Sequence, residues 1–280
     1  MIDLHMHTTA SDGTCTPEAL VERAWRAGIR TMSVTDHDTM AAVRPATAAA
    51  DAIGMKLIPG IEITTVHGGR DVHVLAYFLS ENAPGLQELL AAQRRNRVAR
   101  AHEITTRLAA LGAPIDVAEL IEGAAKNGGK SLARPQIARA LVAAGHVASV
   151  QEAFDRYLAD DRPAYVPHHG ASPAEVIELV AAGGGVASLA HPGQLKKDDL
   201  IPILVAAGLG AIEAYHSSHD PATEEHYLTL AADHGVGVTG GSDYHGEGTR
   251  RSEFFGVTNL PAGHFEALTR KASRARVTVA

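Results

Sequence analysis

The chain carries 16 histidines in 280 residues, and the informative ones are grouped. Asp3-Leu4-His5-Met6-His7 is followed by Ser11-Asp12-Gly13. Then come Thr35-Asp36-His37-Asp38, Gly60-Ile61-Glu62, Val72-His73-Val74, Ala190-His191-Pro192 and Gly241-Ser242-Asp243-Tyr244-His245. In an extended run, His5 and His7 at i and i+2 share one face. Imidazoles and carboxylates together hold divalent ions, and paired ions make water a nucleophile while neutralising charge on a phosphoryl oxygen. Nine residues form the candidate ligand set: His5, His7, Asp12, His37, Glu62, His73, His191, Asp243 and His245. Six neutral imidazoles and three carboxylates leave two or three divalent ions with net positive charge, which suits a phosphate dianion. Glu62 can bridge two ions with its two oxygens, which a histidine cannot. One His-X-His is weak evidence, and His73 alone could be a packed strand histidine. Five such motifs at strand ends point to a multinuclear metal hydrolase.

The elements that position these groups alternate. Met1–His7 is expected as a strand, Pro17–Ala27 as a helix capped by Thr16, and Thr31–Thr35 as a strand. Ala41–Ile53 is helical, Lys56–Thr65 β-like, and Val72–Leu79 a strand reached through His67-Gly68-Gly69. Alternation of this kind predicts parallel βα units. The middle is different. Glu88–Leu111 is a long helical pattern with five arginines, followed by helical stretches at Asp116–Ala125, Arg134–Ala144 and Val150–Leu158, punctuated by Gly128-Gly129 and Gly145. Alternation then resumes with helices at Pro173–Ala182, Lys197–Ala207, Pro221–His234 and His264–Ala275, and strands at Val186–Leu189, Ala211–Ala214, Val236–Thr239 and Phe254–Val257. The expected organisation is a barrel of residues 1–84 and 166–280, with an inserted helical unit at 85–165 acting as a substrate lid. Asp36 and Asp38 are assigned to capping the following helix, and the arginines of Glu88–Leu111 to a solvated face.

The formal charge is −7, which excludes a global basic field for long nucleic acid but is compatible with a small anionic substrate at a metal centre. Cys15 is the sole cysteine, so no internal disulfide is possible. No apolar run reaches membrane-span length, and the N-terminal residues lack a signal-peptide pattern. A cytoplasmic location is expected, and no protein partner is implied.

Taken in order, the motifs resemble those of the PHP (polymerase and histidinol phosphatase) family across nearly the whole chain. The resemblance implies a distorted seven-stranded (β/α) TIM-like barrel with three divalent ions (Mn²⁺, Fe²⁺ or Zn²⁺) at its C-terminal rim. By motif, His5, His7, Glu62 and Asp243 would hold the first ion. Glu62, His73 and His191 would hold the second, and Asp12, His37 and His245 the third. Asp12 stands where some members have histidine, which shifts the third site toward harder ions such as Mn²⁺. The stretches Leu132-Ala133-Arg134-Pro135-Gln136-Ile137-Ala138, Tyr157-Leu158 and Pro163-Ala164-Tyr165-Val166-Pro167-His168 resemble the insertion of stand-alone members acting on nucleoside 3′,5′-bisphosphates. Some of those relatives also trim short RNA from the 5′ end.

Arg134, opening a predicted helix, matches a phosphate-contacting position, and its guanidinium could clamp a phosphate bidentately. His219 follows a strand and is a candidate to donate to a phosphate or protonate the leaving oxygen. The resulting expectation is a phosphate monoester hydrolase using a metal-bridging hydroxide, with Glu62, Asp243, Arg134 and His219 as its working residues. The preferred substrate would be the 3′-phosphate of a nucleoside 3′,5′-bisphosphate. Alternatives are 5′-3′ exoribonuclease action on short 5′-phosphorylated oligonucleotides, a histidinol-phosphate-type phosphatase, and a non-catalytic metal-binding module.

Overall fold

The computed structural model describes residues 1–125, 130–249 and 251–279; the Gly128-Gly129 turn signal lies outside them. Seven strands form one sheet in sequence order: β1 (Ile2–Asp3), β2 (Thr31–Val34), β3 (Lys56–His67), β4 (Arg70–Tyr77), β5 (Val186–Leu189), β6 (Ala211–His216) and β7 (Gly237–Gly241). The first and last strands meet. Leu4 N–H donates to Gly240 O at 3.1 Å, Asp243 N–H donates to His5 O at 2.8 Å, and Met6 bridges Tyr244 in parallel. The sheet therefore curls into a distorted barrel.

Local chemistry sets the helix starts. Thr16 Oγ1 accepts the Ala19 N–H at 3.2 Å ahead of α1 (Pro17–Arg26), with Pro17 in the first turn. The second helix, α2 (Val43–Ile53), starts without a side-chain cap. Asp36 and Asp38 are therefore not its caps. Asp36 accepts bonds from the Thr8 N–H, the Thr8 hydroxyl and Ser11 Oγ, while Asp38 accepts the Thr64 N–H.

Expectation and structure part at β3 and β4. No helix separates them; they form an antiparallel hairpin, and β4 also runs antiparallel to β5. Gly68 and Gly69, with φ of 57° and 78°, make the two-residue turn that reverses the chain where a crossover would need a dozen residues or more. The remaining neighbours pair in parallel. The strand expected at Phe254–Val257 is absent among the described residues, where Ser252–Phe254 forms a single 3₁₀ turn.

Residues between β4 and β5 are helical: α3 (Leu86–Ala110), α4 (Ala118–Ala125), α5 (Arg134–Ala143), α6 (Val150–Ala153), a π-helical turn at Phe154–Leu158, and α7 (Pro173–Ala182). Ile104, Leu108, Ile137, Leu141, Leu158 and Val166 pack into an apolar core of their own, separate from the barrel core around Ile61, Val74 and Ile212. The arginine face of α3 is not solvated as expected: Arg94, Arg97 and Arg100 are buried. Arg97 faces inward because it pairs with Asp38 and bonds Leu132 O and Thr64 Oγ1. The later helices are α8 (Pro192–Leu195), α9 (Ile201–Ala206), α10 (Pro221–Asp233) and α11 (Ala262–Val279). Among the described residues no helix is long and apolar enough to cross a membrane.

Candidate metal centre

The barrel brings all nine candidate ligands to one rim. His5 and His7 extend from β1, His37 lies just past β2, and Glu62 and His73 lie on the hairpin strands. His191 follows β5, and Asp243 and His245 follow β7. Glu62 is the hub. Its Oε2 lies 3.2 Å from His7 Nε2, 3.2 Å from His37 Nδ1 and 3.3 Å from His5 Nε2. Its Oε1 lies 2.7 Å from His73 Nδ1 and 3.0 Å from His191 Nε2. The two oxygens thus face two separate imidazole groups, as a bridging carboxylate requires.

Donor atoms converge in four overlapping sets: His5, His7, Glu62 and Asp243; His7, Asp12, His37 and His245; His37, Glu62 and His73; and His5, Glu213 and His216. The first set coincides with the ligands expected for the first ion. The second contains the third-ion group with His7 added. In the third, His37 takes the place expected for His191, although His191 reaches the same Glu62 oxygen. Glu213 and His216 were not anticipated as part of the centre. The available signal was a lone carboxylate inside the apolar strand Ala211-Ile212-Glu213-Ala214.

These donors suit divalent cations. His7 Nε2 and His37 Nδ1 are buried without a hydrogen bond, although each lies 3.2 Å from a carboxylate oxygen. Two donors bound to one ion at about 2.1 Å would stand about 3 Å apart. Electrostatics agree. Burial by itself would lower the His7 pKa, but Asp243 and Glu62 push it up to about 10. Burial opposes the charge of Glu62, yet His37, His73 and His5 hold its carboxyl well below the usual range. The same contest at Asp243 is decided by Arg251 and His5.

The backbone is strained where ligands leave the strands. His191 has φ 30° and Asp243 φ 53°, left-handed conformations that cost side-chain-bearing residues about 1–3 kcal/mol. The His191 N–H is held by Glu213 Oε2 at 2.8 Å, and the Asp243 N–H by His5 O. Gly241 completes the geometry, since a Cβ there would stand 2.4 Å from the His5 Cβ.

A cavity of about 780 Å³ opens above the ligands. Its wall includes Arg100, Arg134, Arg139 and Phe154 from the helical segment and Arg251 from the loop after β7. Arg134 lines the cavity. Its Nη1 donates to Leu158 O at 3.1 Å and to Asp160 Oδ1 at 2.9 Å. His219 is placed differently from expectation. It does not line the cavity, and both ring nitrogens are engaged: Nδ1–H donates to Ala214 O at 2.7 Å, and Nε2 accepts the Gly193 N–H at 3.2 Å. That arrangement corrects its direct contact with a leaving oxygen to support of the loop that follows His191.

The PHP domain model matches residues 3–159. The chain belongs to the PHP family. It is 35% identical over 253 residues to the 5′-3′ exoribonuclease Rnm of Escherichia coli, covering 87% of this chain and 84% of that protein. It is 34% identical over 254 residues to a phosphoribosyl 1,2-cyclic phosphate 1,2-diphosphodiesterase of Eggerthella lenta, covering 88% and 94%. It is 33% identical over 259 residues to a 3′,5′-nucleoside bisphosphate phosphatase of Chromobacterium violaceum, covering 89% of each. A solved structure from Bifidobacterium adolescentis, described as a candidate metal-dependent phosphoesterase, superposes with a TM-score of 0.87 at 34% identity over 96% of both chains. As a PHP member with this centre, the protein is a metal-dependent phosphoric ester hydrolase on the distorted barrel of that family.

Proposed function

We propose that the enzyme hydrolyses a phosphate monoester, the 3′-phosphate of a nucleoside 3′,5′-bisphosphate. The observation that carries this reading is Glu62 dividing its two oxygens between imidazole groups at the floor of a cavity with arginines on its walls. Three divalent ions (Mn²⁺, Fe²⁺ or Zn²⁺) fit the donors. His5, His7, Glu62 and Asp243 would hold the first, Glu62, His73 and His191 the second, and Asp12, His37 and His245 the third. Bound there, the ions would supply a nucleophile from water at neutral pH and Lewis acidity toward the phosphoryl oxygens.

The chain's own groups do the rest. Arg134 binds a substrate phosphate with a guanidinium that already rests on Tyr165, its Cζ 5.3 Å from the ring centroid. Residues 85–165 act as a lid that gives the cavity its upper wall, selects small substrates and limits water around the reacting phosphorus. His219 positions the His191 loop through Gly193.

The E. coli relative's name supports a second reading, stepwise hydrolysis of short 5′-phosphorylated oligonucleotides. One experiment separates the readings. Protein stripped with chelator and reloaded with Mn²⁺ is offered adenosine 3′,5′-bisphosphate, AMP, histidinol phosphate, a ribosyl cyclic phosphate and a 5′-phosphorylated oligonucleotide. Fast phosphate release from the bisphosphate is expected, and its loss in Glu62→Ala and Asp243→Ala. Release of mononucleotides from the oligonucleotide without bisphosphate turnover would replace the first reading with the second. Retained activity in Glu62→Ala would sink the assignment of the centre itself.

A further inference from the structure

Asp12 sits in a loop, residues 8–15, that has no strand or helix of its own to hold it. Its side chain joins His7, His37 and His245 in one donor set, with Oδ1 3.3 Å from His245 Nε2 and 3.8 Å from His7 Nδ1. On the barrel side the loop packs closely: a Cβ at Gly13 would stand 2.5 Å from His7 O. On its other side the backbone meets the helical segment. Ala10, Ser11 and Asp12 are all buried, and carbonyls taken out of water need protein partners.

Those partners come from one stretch of the helical segment. Ser131 N–H donates to Ala10 O at 2.8 Å, Gln136 Nε2 to Ser11 O at 2.6 Å, and Arg139 Nη2 to Asp12 O at 3.2 Å. Consecutive carbonyls of the loop are thus strapped by residues far along the chain; Gln136 and Ser11 are 125 positions apart.

Gln136 is the centre of the strap. Its Oε1 accepts the Ala133 N–H at 2.6 Å at the start of α5, and its Nε2 also donates to Ser131 O at 3.3 Å. The amide has its acceptor on an N–H and its donor between two carbonyls, so only one of its two orientations is satisfied. The stretch is itself fixed to the barrel, because Arg97 donates to Leu132 O while pairing with Asp38.

We infer that Gln136 is a positioning residue for the ion assigned to Asp12, His37 and His245: it ties the start of α5 to the loop that presents Asp12. Gln136 does not line the cavity and acts through the Ser11 carbonyl. The inference rests on the assignment of Asp12 to that ion. It gives the helical segment a task beyond walling the cavity, since a metal site of the barrel is completed only when α5 is docked.

The test counts ions rather than turnover. Chelator-stripped wild type, Gln136→Glu, Asp12→Ala and the double variant are titrated with Mn²⁺ by calorimetry, and bound metal is counted after dialysis. Asp12→Ala identifies the ion in question by losing it. Gln136→Glu keeps an acceptor for Ala133 but turns a carboxylate oxygen toward Ser11 O, and should bind that same ion about tenfold more weakly. In the Asp12→Ala background it should change the remaining sites by less than about twofold, because a residue acting through Asp12 has nothing left to act on. Equal weakening of the remaining ions in both backgrounds would mark a general loosening of the fold and overturn the inference. Gln136→Met removes the donor without adding charge, should show the same selective loss, and decides the question if Gln136→Glu does not fold. If Asp12→Ala loses no ion, the assignment of Asp12 falls and the inference with it. If it loses one whose affinity the Gln136 variants leave unchanged, the inference alone falls.

Discussion

Arg97 Nη2 lies 2.6 Å from Asp38 Oδ2 in a buried ion pair that joins α3 to the turn carrying His37. Asp38 is itself left-handed, with φ 51°, and its other oxygen accepts the Thr64 N–H at 2.9 Å. The pair therefore couples the helical segment to one metal-ligand loop and to the hairpin strand β3. Removing one partner leaves a buried charge uncompensated, which typically costs about 3–5 kcal/mol. Arg97→Met should lower stability by that amount in urea unfolding, and adding Asp38→Asn should recover part of it. A loss below about 1 kcal/mol would show that the pair is not a structural tie.

Glu213 should behave as a positioning residue for two ligands. Its Oε1 accepts from His5 Nδ1–H at 2.9 Å, and its Oε2 from the His191 N–H at 2.8 Å, so His5 presents Nε2 to the centre. In Glu213→Gln one of these donors meets an amide NH₂ instead of an acceptor. Metal affinity or kcat/KM should fall about 10- to 100-fold, as is typical when a group behind a ligand is lost. Metal content measured beside kcat/KM checks this, and unaltered values for both would exclude the role.

His168 makes stability depend on pH. Burial, followed by the neighbouring Arg97 and Arg100 charges, outweighs the Asp71 hydrogen bond and lowers its pKa to about 4. The unfolded chain takes up a proton near pH 6.5 while the folded chain does not, so its contribution is complete above about 6.5 and shrinks toward pH 4. The change is up to about 3 kcal/mol across that window. Asp71 adds a loss at lower pH: burial opposes its charge, but His168 holds its carboxyl below the ordinary range. Chelator-treated His168→Asn should show a flatter dependence of unfolding free energy between pH 4.5 and 6.5 than wild type. Parallel curves would remove His168 as the source.

Stripping the ions should destabilise the fold. Asp12, Glu62 and Asp243 are buried together at the centre, where their charge needs a counterion. An ion at a thousandfold excess over its Kd stabilises by about 4 kcal/mol, on the order of 10 °C in Tm for a chain of this size. Chelator should lower Tm by that order, Mn²⁺ should restore it, and Glu62→Ala should blunt the response. A Tm indifferent to verified metal removal would argue against a cation among these carboxylates.

The candidate metal ligands were legible because each is announced locally. A histidine or carboxylate just past a short apolar run needs only its own strand to reach the rim, so five such motifs at strand ends implied one centre before any contact was known. The hairpin was less legible. His67-Gly68-Gly69 signalled a turn, but whether β4 returned beside β3 or crossed over depended on which neighbours the barrel offered.

Roles that depend on partners far along the chain were hidden. Asp36 and Asp38 look like helix caps in a local window, yet their partners are Thr8, Ser11, Thr64 and Arg97. The α3 arginines look solvated until the helix is laid against the barrel. His219 looks free until Ala214 O and the Gly193 N–H close on its two nitrogens.

By itself, then, the sequence determined residue chemistry and strand-end placement, and with them the barrel class, the donor set and the metal-dependent hydrolysis of phosphate esters. Tertiary structure alone decided which charges face one another. His5 and Glu213 are 208 positions apart in sequence and 2.9 Å apart in space. Barrel closure and the docking of α3 bring such pairs together, and burial then sets how strongly each group depends on its partner.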